Sequence, residues 1–151
     1  GCICVDDQVY VWKGLRIMGL GGSIRYNREE TFQYTEKEMR RRMRRLWFKA
    51  HRAGGIDLLL THSPAAGLND GDDRAHKGFA CFNDLLEEYR PKWFVHGHVH
   101  LSYNANLPRV CTHGQTTVIN ATERYTFEIP DPDPVARKRF FWNDPAFPTK
   151  N

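Results

Sequence analysis

The chain has 151 residues and a mass of 17.6 kDa, the size of one domain, long enough to bury roughly 70% of the surface its unfolded form exposes. A composition 40% hydrophobic and 26% charged excludes a disordered acidic tail and a collagen-like chain, and no apolar run approaches the ~20 residues of a membrane span. The net charge of +4 is local: eight Lys or Arg against two Glu over residues 36–52 give +6 there and −2 over the rest of the chain. Such a distribution is a basic helix rather than a basic surface. Cys2, Cys4, Cys81 and Cys111 lack zinc-finger spacing, and a chain of this size needs no disulfides, so they read as reduced thiols in a cytoplasmic protein.

The predicted elements begin with two short strands, Val9–Trp12 and Leu15–Gly19, joined by the turn signal Lys13-Gly14. A glycine-rich loop, Gly19–Ser23, leads through Arg25-Tyr26-Asn27 into an unpatterned stretch. Thr35 with Glu38 three positions on forms a capping box. Met39, Met43, Leu46, Trp47 and Ala50 then recur at helical spacing, placing the arginines on the opposite, solvated face until Gly54-Gly55. Ile56–Leu60 reads as a strand buried on both faces and ends in Thr61-His62-Ser63-Pro64. A polar loop, 65–77, precedes a second helix marked by Phe79, Phe82, Leu85, Leu86 and Tyr89 and stopped by Pro91. Trp93–Val95 is the next buried strand, followed by His96-Gly97-His98-Val99-His100. Strand-like runs follow at Arg109–Thr112, Thr116–Ile119 and Arg124–Ile129. The order β-β-α-β-α-β-β-β implies a layered α/β sheet with an antiparallel portion. Residues 1–129 form the domain; 130–151, rich in proline, form an extension anchored by Phe140, Phe141 and Trp142.

Two buried strands ending in histidine place the chemistry. Open α/β sheets bind ligands outside the carboxyl ends of their strands, and His98 and His100, two apart, share a side of an extended chain. His62, His98 and His100 are therefore candidate ligands for a borderline transition metal, with Gly97 allowing close backbone approach. His96 is expected to support a ligand from behind. His76, beside Asp70, Asp72 and Asp73, either orients a ligand or caps a turn. His51 and His113 read as surface residues.

Thr61-His62-Ser63-Pro64 and Gly97-His98-Val99-His100, with the helix between them and a closing strand ending in Asn120, resemble the last two motifs of calcineurin-like metallophosphoesterases. The Gly19–Ser23 loop, Arg25-Tyr26-Asn27 and Gln33-Tyr34-Thr35-Glu36 resemble a bacterial or phage-type cytoplasmic branch, and the likeness runs from Gly1 to about Tyr125. The resemblance implies a four-layer α-β-β-α sandwich and hydrolysis of a phosphoester, a diester sooner than a monoester. It implies two divalent metals (Mn, Fe or Zn), with His62 and His98 on one and His100 on the other, and Arg25 and Asn27 near the substrate. The family's Asp-x-His pair, bridging Asp and Asn-His-Asp set have no counterpart here. The likeness is therefore to the C-terminal half of the domain, with the N-terminal half absent and the catalytic residues expected there. A bare sheet would then pair with that half or self-associate.

Two other readings compete. The Arg-rich helix 36–52 would suit a nucleic-acid-binding module, against which Trp47 falls on the apolar face, away from the arginines. A mononuclear metal hydrolase would use His62, His98 and His100 with Asp73 or His76 as base. A nuclease would combine the phosphoesterase and nucleic-acid readings.

Overall fold

The computed structural model describes residues 1–27, 31–102 and 107–130; the expected extension 131–151, with Phe140, Phe141 and Trp142, lies outside them. The described elements are β1 (Gln8–Trp12), β2 (Leu15–Leu20), β3 (Ser23–Ile24), β4 (Gln33–Tyr34), α1 (Glu36–Arg52), β5 (Leu58–Thr61), α2 (Ala80–Tyr89), β6 (Trp93–His96), β7 (Val110–His113) and β8 (Thr116–Asn120). Six strands form one sheet in the order β1-β2-β5-β6-β8-β7. Its centre, β2-β5-β6-β8, is parallel, and the edge pairs β1/β2 and β7/β8 are antiparallel.

Local chemistry explains most of these elements. Lys13 and Gly14 both have positive φ, 46° and 89°, as the tight turn between β1 and β2 requires. Thr35 accepts from the Glu38 N–H while the Glu38 carboxylate accepts from the Thr35 N–H at 2.7 Å, completing the capping box. Glu36 reaches across to accept from the N–H groups of Ala80 and Cys81, so the first turn of α1 satisfies the open donors at the start of α2. The aliphatic residues of parallel strands alternate between two faces. Met18, Leu20, Leu59, Phe94 and Val118 pack with both helices into the main core. Leu15, Leu58, Val95 and Ile119 point the other way and gather Phe127 and Ile129 over them. One sheet and one helical layer are thus present among the described residues, a mixed α/β fold.

Four expectations are corrected. Residues 124–129 form no strand; their apolar side chains cover the second face of the sheet instead of extending its edge. The end of the glycine-rich loop and the unpatterned stretch before α1 contain β3 and β4, a two-residue parallel pair too short to carry a periodicity. Arg42 is not on the solvated face of α1: it is 7% exposed, pairs with Asp6 at 2.6 Å and Asp7 at 2.8 Å, and lies over the Tyr34 ring. Trp47 leaves the apolar face and is 45% exposed, its indole N–H donating to Glu88. All four cysteines are free thiols. No helix among the described residues is long and apolar enough to cross a membrane.

Candidate metal centre

β5 and β6 are parallel neighbours in register, Leu58 opposite Trp93 and Leu60 opposite Val95. Their carboxyl ends therefore stop side by side, and each releases a histidine within two residues. The backbone completes the pairing: the Gly97 N–H donates to the His62 carbonyl at 3.0 Å, and the His62 N–H to the Leu20 carbonyl of β2 at 3.2 Å. At the end of β8, Asn120 is fully buried. It donates from Nδ2 to the Val99 carbonyl at 2.7 Å and accepts from the Thr122 N–H and hydroxyl, which pins the 97–100 turn from the neighbouring strand.

His62 Nε2 and His98 Nδ1 stand 3.0 Å apart, with ring centroids at 4.7 Å. The His98 Nε2 lies 2.7 Å from the carbonyl of Ala75, and a carbonyl only accepts, so that nitrogen carries the hydrogen. The Nδ1 lone pair is left facing His62. Burial, with the neighbouring imidazole, lowers the pKa of His62; burial also lowers that of His98, against the opposing Ala75 hydrogen bond. Both rings are thus biased to the neutral form that ligates metals. His98 has φ +67°, a conformation that β-carbon-bearing residues rarely adopt and that concentrates at functional sites.

The donor chemistry fits a divalent transition metal. An ion taking two imidazoles at about 2.0–2.1 Å in tetrahedral geometry holds their nitrogens about 3.3 Å apart. The observed 3.0 Å is a few tenths short of that, and the carbonyl behind His98 is the partner a ligating imidazole ordinarily has. His100 is exposed and close enough to depress His98 electrostatically. Among the described residues no three His, Cys, Asp or Glu are grouped to hold an ion; the structure brings His62 and His98 together as a pair.

The other candidates have distinct places. His76 Nδ1 donates to Asp73 at 2.7 Å, and its ring lies 5.3 Å from that of His98. It is thus beside the pair and oriented by a carboxylate. Donation by His76 holds the Asp73 carboxyl below its ordinary range. His96 is 1% exposed, packed at a tilt against Phe94 and pushed down to a pKa of about 4 by burial. It is a neutral core residue whose Nδ1 faces the Gly97 carbonyl at 3.0 Å. Arg25 pairs with Glu38 at 3.0 Å, and the Asn27 N–H donates to the Gln33 side chain, so both brace the entry to α1. A β-carbon at Gly97 would meet only the His62 carbonyl at 3.8 Å, an ordinary contact; close approach does not explain that glycine. It does explain Gly78, where a β-carbon would lie 2.4 Å from the backbone of Ala65, closing the loop that carries Asp73 and His76. The Ala75 carbonyl was invisible in the sequence because a backbone acceptor has no residue signature.

A cleft of about 260 Å³ lies alongside His62, lined by Asp6, Gly19, Gly21 and Thr61 among others. In it the Asp6 carboxylate accepts from the Gly21 N–H at 2.6 Å and from Arg42.

No family model matches the chain. A stretch of 73 residues is 37% identical to a UPF0046 protein of Caenorhabditis elegans, covering 44% of this chain and 24% of that protein. A stretch of 71 residues is 31% identical to metallophosphoesterase domain-containing protein 1 of Homo sapiens, covering 45% of this chain and 20% of that one. The matched segment thus spans a quarter or less of either curated relative. Among solved structures, one superposes with a TM-score of 0.56 at 18% identity over 79% of this chain and 45% of its own. The crystal structure of TT1561 of Thermus thermophilus gives 0.50 at 15% over 78% and 48%. The structural likeness is one of fold. Together the matches point to a metallophosphoesterase-like α/β fold.

Proposed function

We propose that the carboxyl ends of β5 and β6 form part of a metal-dependent phosphoester hydrolase site, with a diester the preferred substrate. The observation that carries this reading is the His62–His98 pair: two neutral imidazoles from adjacent parallel strands, nitrogens 3.0 Å apart, one fixed from behind by a carbonyl. The partial likeness to metallophosphoesterase domain-containing protein 1 supports the same chemistry.

His62 and His98 would hold one divalent ion, and His100 would belong to a second ion of a dinuclear centre. Such ions supply charge neutralisation and polarisation at a phosphoryl group. This chain's own residues do the positioning. Ala75 fixes the tautomer of His98 and so aims its Nδ1 lone pair. Asn120 locks the turn that holds His98 in its left-handed conformation. Asp73 holds the His76 ring with its Nδ1–H engaged, directing the opposite nitrogen away from Asp73. The neutral imidazoles add no negative charge that would repel an anionic substrate. Mn²⁺, Fe²⁺ and Zn²⁺ are all compatible with imidazole donors.

The test is hydrolysis of bis(p-nitrophenyl) phosphate by this chain in Mn²⁺ or Zn²⁺. Metal-dependent release of p-nitrophenol that His98→Ala lowers about 100-fold or more is the expected result. Activity that survives that substitution would refute the assignment.

A further inference from the structure

The cations of α1 are divided by their partners. Arg40 pairs with Asp84 and Glu36, and Arg42 with Asp6 and Asp7. Lys37, Arg41, Arg44, Arg45, Lys49 and Arg52 have no carboxylate within ion-pair distance among the described residues, and all are exposed. The nearby acids are already engaged: Glu36 and Asp84 on Arg40, Glu38 on Arg25 and Glu88 on the Trp47 indole. The excess of positive charge is therefore real at this surface and not cancelled by its neighbours.

Helical spacing puts four of these cations in one stripe. At 100° per residue, Lys37, Arg41, Arg45 and Arg52 fall within a quarter turn of one another, and position 48 lies in their midst. Position 48 is Phe, 61% exposed, with the Arg52 guanidinium 5.9 Å from its ring centroid. A stripe serving solubility alone has no use for a bare aromatic ring at its centre. Trp47 and His51 stack at 5.0 Å on its flank. From Lys37 to Arg52 the stripe is about 22 Å long at 1.5 Å per residue.

We infer that this face of α1 binds single-stranded nucleic acid, the cations following the phosphates and Phe48 stacking a base. A row of unpaired cations with an exposed ring among them is the combination that proteins binding such strands use. A lipid surface fits less well, because the apolar side of α1, Met39, Met43, Leu46 and Ala50, is buried in the core and has nothing left to insert. The inference goes beyond the phosphoesterase reading and does not depend on it.

Fluorescence anisotropy with a fluorescein-labelled twelve-residue oligo-dT, run in excess EDTA to exclude any metal site, tests it on the full chain. At 50 mM salt the chain is expected to bind, with log K falling against log salt at a slope of about −3, the value for four or five phosphates on a single strand. Arg41→Glu with Arg45→Glu should weaken binding at least about tenfold. Phe48→Ala should weaken it about five- to one-hundredfold while leaving the salt slope unchanged. All three positions are exposed, and unchanged circular-dichroism melting curves establish that the variants fold. No binding at 50 mM salt, an unaffected double charge reversal, or an unaffected Phe48→Ala would overturn the inference. So would tighter binding to the matched duplex or to phosphatidylserine vesicles than to oligo-dT.

Discussion

Asn120 shows how much of the site rests on one side chain outside it. Its amide is fully buried and satisfied on both ends, donating to Val99 and accepting from Thr122. Asn120→Ala would leave the buried Thr122 N–H without its acceptor, remove one of the two donors at the Val99 carbonyl, and free the turn that positions His98. A loss of about 1–3 kcal/mol in urea unfolding is expected, the range for orphaning a buried polar group. Zinc affinity should fall with it, because a ligand loses its fixed direction. Unfolding indistinguishable from wild type would mean that β8 does not hold the site. His96 carries the opposite lesson. Its position one residue before Gly97 made it a natural support for a ligand, yet the strand's alternation turns it into the core beside Phe94, where burial holds it neutral. In a two-residue repeat, one step along the chain decides between site and core.

At the level of elements, β2 and β5 are tied by more than their ladder. Arg16 grips Asp57 through Nε at 2.8 Å and Nη2 at 2.6 Å, and the Arg16 N–H donates to the same carboxylate at 2.9 Å. Burial alone would raise the Asp57 pKa; the Arg16 hydrogen bonds and charge outweigh it and lower the value below the ordinary 3.8. A carboxylate with a depressed folded pKa contributes stability that is complete above its unfolded pKa and disappears as pH falls through the folded one. Asp57→Asn should therefore cost about 1–3 kcal/mol at pH 7 for a partly buried pair. The gap from wild type should close as pH drops below about 4. A gap independent of pH between 7 and 2.5 would deny the ion pair that role.

The same level shows what the sequence made legible. Apolar periodicity located α1 and α2, the turn signal located the β1/β2 hairpin, and the coincidence of two strand ends located His62 and His98. Pattern failed where partners are distant in sequence. Arg42 looks like its neighbours until Asp6 and Asp7, 36 and 35 residues earlier, arrive beside it. Trp47 has core spacing, but the α1–α2 contact leaves it at the rim with Glu88. Residues 124–129 alternate like a strand, and their alternation is spent on covering a face.

At the scale of the molecule, the sheet separates two tasks. One face takes both helices and the larger core; the other carries a smaller cluster under Phe127 and Ile129. The carboxyl edge between them collects the histidines from β5 and β6 and Asn120 from β8, because parallel neighbours must end on the same side. That convergence predicts a binding site before any ligand is considered. Everything proposed for this edge requires His62 and His98 to act as metal ligands. The most direct test is a Zn²⁺ titration of the chain against a chromophoric chelator, for wild type, His62→Ala and His98→Ala. Wild type is expected to bind, and each substitution to weaken binding about tenfold or more. No binding by wild type, or equal binding by all three, would contradict the assignment.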